Sequence, residues 1–348
     1  MRGANWVGDA AMTVPALREL RRVLPGARIT LATRAWAEAL FAGAEFVDEV
    51  VAVSDAKSSA RSVWADAREW RARRFDLAVL FPNSFAPALS AALARVPFRV
   101  GYATQGRAAL LTHPLPVPEW RGHRHEVFYY LNIVAELERI LRGSSDIETR
   151  EPDTSLAVSK EGRREALSLL RASGASESRP LVALCPGSTN SRAKRWPVER
   201  FAALADMLAE RAGAQVILVG AGEELDISEE VARLARTRTQ VLTGKTNLAQ
   251  TAALLSVADL LVTNDTGPAH VAAAVGCPVV VIFGPTNPET TRPFSASAEV
   301  VRRPPVCAPC MLRDCPIDHR CMTAITAEEV FERAAHALEA RRAAEVVG

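Results

Sequence analysis

What this chain lacks narrows the field first. Its apolar runs, such as Val279 to Phe283 and Val216 to Val219, fall far short of the roughly 20 residues that cross a bilayer. No leader is visible, because Met1-Arg2-Gly3-Ala4 runs straight into a polar turn. These two absences lead to the expectation of a soluble, cytoplasmic protein. A strong charge of either sign is also missing. The 42 Lys and Arg face 40 Asp and Glu, for a net +2, which speaks against nucleic acid as the main partner. With 49% apolar and 24% charged residues, disordered and collagen-like classes are excluded. No Asp-x-Asp pair occurs to hold a divalent ion.

What is present points to two domains, since 348 residues exceed one ordinary core. Charge is uneven: residues 1–150 carry 20 basic against 16 acidic side chains, the remainder 22 against 24. That bias fits an anionic partner at the first half, or equally a solvated surface. Apolar runs and helical periodicities alternate with short links. In the first half, Arg28 to Ala32, Val47 to Val53, Phe75 to Phe81 and Phe98 to Tyr102 read as strands. Helices are expected at Ala35 to Ala42, Ser62 to Arg73, Ser84 to Ala94 and residues 126–142. Three prolines in residues 112–122 break the pattern. In the second half, Leu181 to Cys185, Gln215 to Val219, Thr239 to Leu242, Asp259 to Val262 and Val279 to Phe283 read as strands. Helices run roughly Val198 to Ala212, Glu223 to Ala235, Leu248 to Val257 and Pro268 to Val275, and a last one spans Ala327 to Arg341. Such alternation is the signature of parallel sheets covered on both faces. The expected architecture is α/β, with two Rossmann-like doubly wound domains (1–155 and 156–348) facing across a cleft. Ligands bind such sheets at the carboxyl ends of strands.

The opening is irregular. Asn5-Trp6-Val7-Gly8-Asp9-Ala10 leads into a helix with apolar Val14, Leu17, Leu20 and Leu24. A loop of this kind normally follows a buried strand, yet only four residues precede Asn5. The first strand is therefore expected to be missing.

Four loops carry chemistry. After Leu260-Leu261-Val262-Thr263-Asn264, the turn Asp265-Thr266-Gly267-Pro268-Ala269-His270 opens a helix. Thr266 is expected to cap it through its hydroxyl, with Pro268 at a first helical position. The unpaired amides and the positive end of the helix dipole make an anion site. After Cys185, Pro186-Gly187-Ser188-Thr189-Asn190-Ser191-Arg192-Ala193-Lys194-Arg195-Trp196-Pro197 offers hydroxyl donors at Ser188 and Thr189 and an ammonium at Lys194. The alternative is an exposed basic loop. After the next strand, Gly220-Ala221-Gly222-Glu223-Glu224 places acid where ribose hydroxyls are often bound, or where it merely balances a helix dipole. Asp9, at a helix entrance, is either a general base for an acceptor hydroxyl or an N-cap.

Two further clusters stay open. Cys307-x2-Cys310-x4-Cys315-x5-Cys321, with His319 nearby, is either a structural zinc site or a loop of reduced thiols. His123-Arg124-His125-Glu126 reads as a metal motif, a basic loop facing an anionic acceptor, or a plain surface turn.

Together Asn5-Trp6-Val7-Gly8-Asp9-Ala10, Lys194-Arg195-Trp196-Pro197, Asn264 to His270 and Phe283-Gly284-Pro285-Thr286-Asn287-Pro288 resemble the lipopolysaccharide heptosyltransferases of glycosyltransferase family nine, most closely type II. The resemblance spans nearly the whole chain, and the cysteine segment is similar to one carried by many type II homologues. It implies a type B glycosyltransferase fold and inverting transfer of L-glycero-D-manno-heptose from ADP-heptose to the first heptose of a Kdo2–lipid A acceptor. It further implies Asp9 as base, Lys194, Thr266, Gly267 and His270 on the diphosphate, and Asp265 positioning donor groups. Glu224 would take the ribose and Thr246 would lie beside the adenine. Asn5, Trp6 and His125 fall on the acceptor side. No cofactor is expected beyond the donor and a possible structural zinc. Partners would be ADP-heptose and the lipid-linked acceptor, with peripheral contact at the cytoplasmic membrane face. Another nucleotide-sugar enzyme of the same fold, such as an epimerase or a different hexosyltransferase, and a decayed nucleotide- or metal-binding module are the alternatives.

Overall fold

The computed structural model describes residues 1–54, 59–176 and 178–347. The chain divides into two compact units, Met1–Thr154 and Ser155–Gly348.

In the first unit the elements are α1 (Val7–Met12), α2 (Val14–Val23), β1 (Thr30–Thr33), α3 (Ala35–Phe41), β2 (Glu49–Ala52) and α4 (Ala60–Arg73). They continue with β3 (Leu77–Val79), α5 (Phe85–Leu93), β4 (Phe98–Tyr102), β5 (His113–Leu115) and α6 (Glu126–Arg142). β1 pairs with β2 in parallel, and β3, β4 and β5 form a second parallel ribbon. The segment Met1–Gly3 lies between the two ribbons. Arg2 bridges Ala32 on one side and Leu80 on the other. Arg2 N–H donates to Val79 O (2.9 Å), Gly3 N–H to Ala32 O (2.9 Å) and Ala32 N–H to Met1 O (2.8 Å). The expectation of a missing first strand is therefore corrected, because three residues occupy its place. Gly3 suits that slot: a Cβ there would stand 3.1 Å from Leu31 Cδ1 and Thr33 Oγ1.

β5 was not expected from sequence, because Pro114 falls within it. As the edge strand of its ribbon it tolerates a residue without an N–H. Helix α2 buries Val14, Leu17, Leu20 and Val23, an apolar stripe at helical spacing. Gly143, at φ 83°, ends α6 in the left-handed conformation that glycine adopts without strain.

The second unit runs α7 (Lys160–Ser173), β6 (Leu181–Cys185), α8 (Val198–Ala212), β7 (Gln215–Leu218), α9 (Leu225–Leu234), β8 (Thr239–Val241), α10 (Leu248–Val257) and β9 (Leu260–Asn264). It ends with α11 (Gly267–Ala274), β10 (Val279–Phe283), α12 (Pro288–Thr291), β11 (Ala298–Arg302), α13 (Arg320–Thr323) and α14 (Ala327–Val347). Its six strands are parallel in the order β11-β10-β9-β6-β7-β8. β6, β9 and β10 are buried along their whole lengths, which explains why they are apolar nearly throughout. β11, half-buried with polar Glu299 and Arg302, is an edge strand that the sequence did not reveal. From β6 the chain winds outward through β7 and β8, then returns to β9 on the other side. The loops after β6 and β9 therefore meet where the winding reverses, the position at which open α/β sheets bind ligands.

Candidate active site

In the second unit, Asn264 at the end of β9 ties the two switch-point loops together. Its side chain is fully buried. Nδ2 donates to Pro186 O (2.8 Å) and Gly187 O (3.1 Å), and Oδ1 accepts from Trp196 N–H (3.0 Å). Trp196 is itself a core side chain, 1% exposed. Its indole donates to Ile325 O (3.0 Å) and its ring meets Phe201 edge-on at 4.9 Å. Burying a Trp of this size contributes about 4–6 kcal/mol at most. That anchor fixes the residues just before it.

Lys194, two residues earlier, is thereby held at the start of α11. Its ammonium donates to Asp265 Oδ2 (2.7 Å) and Asp265 O (3.2 Å). Asp265 is buried, and the same Oδ2 accepts from Thr286 Oγ1 at 2.6 Å. An ammonium has three donors, and Asp265 takes two of them. Arg195 closes the other end of the loop by donating to Ser188 O from Nε (3.2 Å) and Nη2 (3.0 Å).

At the mouth of α11, Pro268 carries no N–H and Ala269 gives its own to Thr266 O (3.1 Å). The amides of Thr266 and Gly267 remain at the positive end of the helix. Thr266 occupies the N-cap position, but its hydroxyl makes no capping bond. It turns back to Asn264 O (3.3 Å) and Thr263 Oγ1 (3.2 Å). The capping expectation is corrected: the side chain follows the strand it leaves. His270 is buried on the same short helix.

Glu224 is buried under the loop after β6. It accepts from Thr189 Oγ1 (3.1 Å) and Ala221 N–H (3.1 Å). Its carboxylate fills the hollow above Gly187, where a Cβ would come within 2.2 Å of Cδ. Ser188 is buried beside it in sequence. Thr246 lies on the loop after β8, bonded to Thr251 Oγ1 at 2.9 Å. Gly244 N–H on that loop reaches Gly220 O (3.1 Å), joining it to the loop that carries Glu224. Cys185, at the end of β6, is packing: burial first, then the Glu224 charge, pushes its thiol up to about 12.

The cysteine segment braces this site. Ala193 N–H and Ser191 Oγ donate to Arg313 O (2.9 and 3.2 Å), and His319 Nε2 meets Ala193 O at 2.6 Å. Cys321 belongs to the hydrophobic core, whereas Cys307 and Cys315 are exposed. Among the described residues no group of three or more His, Cys, Asp or Glu is placed to hold a metal ion. The four thiols of the segment lie near one another: burial, then the charges of Cys315, Cys310 and Cys307, raises the Cys321 thiol.

In the first unit, Asp9 is the third residue of α1, whose N-cap is Trp6, so it is not a capping aspartate. Asn5 accepts from Arg2 Nη2 at 2.6 Å, and Trp6 is 55% exposed. His125 is no surface turn. It is the buried N-cap of α6, with Nδ1 accepting from Val127 N–H at 3.2 Å.

The family model for glycosyltransferase family 9 (heptosyltransferase) matches residues 63–320. The chain belongs to that family. This heptosyltransferase is 31% identical to lipopolysaccharide heptosyltransferase 2 of Escherichia coli over 309 residues, 86% of each chain. It is 32% identical to the Salmonella typhimurium protein of the same name over 309 residues, again 86% of each. The solved structure of E. coli ADP-heptose LPS heptosyltransferase II matches it with a TM-score of 0.81 at 28% identity, covering 98% of both chains. The heptosyltransferase is thus a glycosyltransferase of the type B fold. Among its described residues no helix is long and apolar enough to cross a membrane.

Within the heptosyltransferase, the second unit brings Lys194, Asp265, Thr266 and Gly267 to one corner and Ser188, Thr189 and Glu224 to the adjoining one. Sequence reasoning missed Thr286, Asn264 and Arg195 as positioning groups. Thr286 stood in a quoted motif, Phe283 to Pro288, and its place directly after a buried strand was the available signal.

Proposed function

We propose that this heptosyltransferase transfers L-glycero-D-manno-heptose from ADP-heptose to the first heptose of a Kdo2–lipid A inner core, with inversion. The observation that carries the reading is the Lys194 ammonium, held by Asp265 at the start of α11 beside the Thr266 and Gly267 amides. In the reaction the bond between the anomeric carbon and the diphosphate oxygen breaks, and ADP leaves with the electron pair. Negative charge grows on the diphosphate as it departs, so a fixed ammonium and aligned amides stabilise the transition state more than the bound donor. Glu224 accepts from the ribose hydroxyls, Thr246 lies beside the adenine, and His270 supports the diphosphate side.

Asp9 of the first unit takes the proton of the acceptor hydroxyl as its oxygen bonds the anomeric carbon. Asn5, Trp6 and His125 belong to the acceptor side. The donor needs no cofactor in this scheme. The acceptor is lipid-linked, so the enzyme works in peripheral contact with the cytoplasmic membrane face.

The test is incubation with ADP-heptose and a truncated inner-core acceptor, followed by mass analysis. One heptose added to the acceptor and an equivalent of ADP are expected. Conversion of the nucleotide sugar without acceptor would instead identify an epimerase. Asp9→Asn should keep ADP affinity and lose transfer by about a hundredfold or more, the contribution of a positioned base.

A further inference from the structure

Two side chains on one face of α6 act on the Asp9 carboxylate, one by hydrogen bonding and one by charge. Glu126 is the first residue of α6 and Tyr130 lies four positions on, so both project from the same side. α6 packs against α1, which carries Asp9. The Tyr130 hydroxyl is within hydrogen-bonding reach of the Asp9 carboxylate, and the Glu126 carboxyl is close enough to repel it. Tyr130 is held firmly: its ring is 8% exposed, edge-on to Phe81 at 5.4 Å and to Tyr129 at 6.1 Å. Tyr129 is fixed in turn by its stack on Tyr102 (4.2 Å) and by its hydroxyl on Asn83 Oδ1 (3.0 Å). Glu126 stood in the cluster His123 to Glu126 and Tyr130 in no motif, but their relation to Asp9 arises only when α6 lies against α1.

We propose that Glu126 and Tyr130 are positioning residues that tune the Asp9 base in opposite senses, the carboxyl by repulsion and the hydroxyl by hydrogen bonding. This rests on the reading of Asp9 as the base.

The surrounding charges are consistent with that division. Burial raises the Glu126 carboxyl, Arg121 opposes this, and the Asp9 charge raises it further. Burial, followed by the Asp9 and Glu126 charges, holds the Tyr130 phenol well above 10. Tyr130 therefore keeps its proton and donates to Asp9 throughout the working range. Cations on this side include Arg121, with its guanidinium 4.4 Å from the Tyr129 ring centroid, and Arg124, over the Phe128 ring. His125 caps α6 one residue before Glu126. On α2, the other helix against α1, the charged groups are ion-paired: Arg18 with Asp153, Glu19 with Arg22 and Arg150, Arg21 with Asp48, and Arg22 with Glu138.

The signs follow from electrostatics. A neighbouring carboxylate makes Asp9 harder to ionise, whereas a donated hydrogen bond makes it easier. In Glu126→Gln the repulsion goes, Asp9 ionises at lower pH, and the acid limb of the kcat/KM profile moves down. The plateau also falls, because a less basic carboxylate is a poorer proton acceptor. In Tyr130→Phe the donor goes, and the acid limb moves up. Each displacement should be about half to one pH unit.

The experiment records kcat/KM against pH for the wild type, Glu126→Gln, Tyr130→Phe and Asp9→Asn, with ADP affinity and thermal unfolding measured on each. Carboxyl-carbon NMR of Asp9 follows the same titration without turnover. Opposite displacements in the two α6 variants support the inference. Loss of rate with the acid limb unmoved, or movement of both limbs in one direction, overturns it while Asp9→Asn stays inactive. Normal turnover by Asp9→Asn overturns the base assignment itself, and the inference with it.

Discussion

Replacing Gly187 by Ala should separate ligand binding from folding. The added Cβ would lie 2.2 Å from Glu224 Cδ, 2.4 Å from Oε1 and 2.6 Å from Oε2, against an ordinary contact of about 3.5 Å. The obstacle is the far end of one flexible side chain, so the backbone stays and the carboxylate retreats by about 1 Å. Its bonds from Thr189 Oγ1 and Ala221 N–H, both 3.1 Å, then stretch beyond hydrogen-bonding range. Two lost bonds at about 1 kcal/mol each lower Tm by about 4–8 °C for a unit of this size. The effect on ligand is larger in proportion. If Glu224 accepts from the ribose, losing a hydrogen bond to a charged group costs about 1.5–3 kcal/mol, or about ten- to a hundredfold in ADP affinity. Isothermal titration with ADP, beside a thermal unfolding curve, measures both. An unchanged ADP affinity in a folded Gly187→Ala protein would refute the ribose assignment and the account of why glycine stands there.

Other changes probe the remaining parts of the site. Lys194→Ala should weaken donor binding and lower kcat by about a hundredfold, as loss of one preorganised charge does; an unchanged kcat in steady-state kinetics would count against it. Asn264→Ala removes three buried hydrogen bonds, and a loss of about 3 kcal/mol should show as a Tm decrease of about 6–12 °C. A decrease below about 2 °C, less than one such bond predicts, would mean that Asn264 does not pin the two loops. A thiol reagent at pH 8 should reach Cys307, Cys310 and Cys315 in the native protein and the other three only after unfolding. Burial holds Cys185 and Cys277 up at about 12, so both are protonated as well as covered; early release of more than three equivalents would contradict this.

The sequence disclosed most where burial is two-sided. β6 and β10 were delimited to the residue, because a strand covered on both faces is apolar throughout and ends where the ligand loop begins. α8 and α10 were delimited equally well. Edges were less legible. β5 contains Pro114 and β11 mixes charged with apolar residues, and both are held by one neighbour only. Met1–Gly3 offers no period to read, since three residues with one Arg and one Gly carry no pattern; its place is fixed by partners far along the chain. The site divided in the same way. The loops bearing Lys194, Glu224 and Asp265 were visible as motifs after strands. The roles of Thr286, Glu126 and Tyr130 were not assigned, because what makes them relevant is a neighbour distant in sequence. The cysteine segment offered a spacing but no period, so its backbone bonds to Ala193 and Ser191 were not foreseen.

The threading of Met1–Gly3 between β1 and β3 has a consequence for assembly during synthesis. Its two neighbours, near Ala32 and Leu80, are translated after it, so the segment can pair with β1 first and with β3 only once Leu80 has left the ribosome. Until Leu80 arrives, the first unit has no seam to join its two ribbons, and closure is delayed to a late, long-range event.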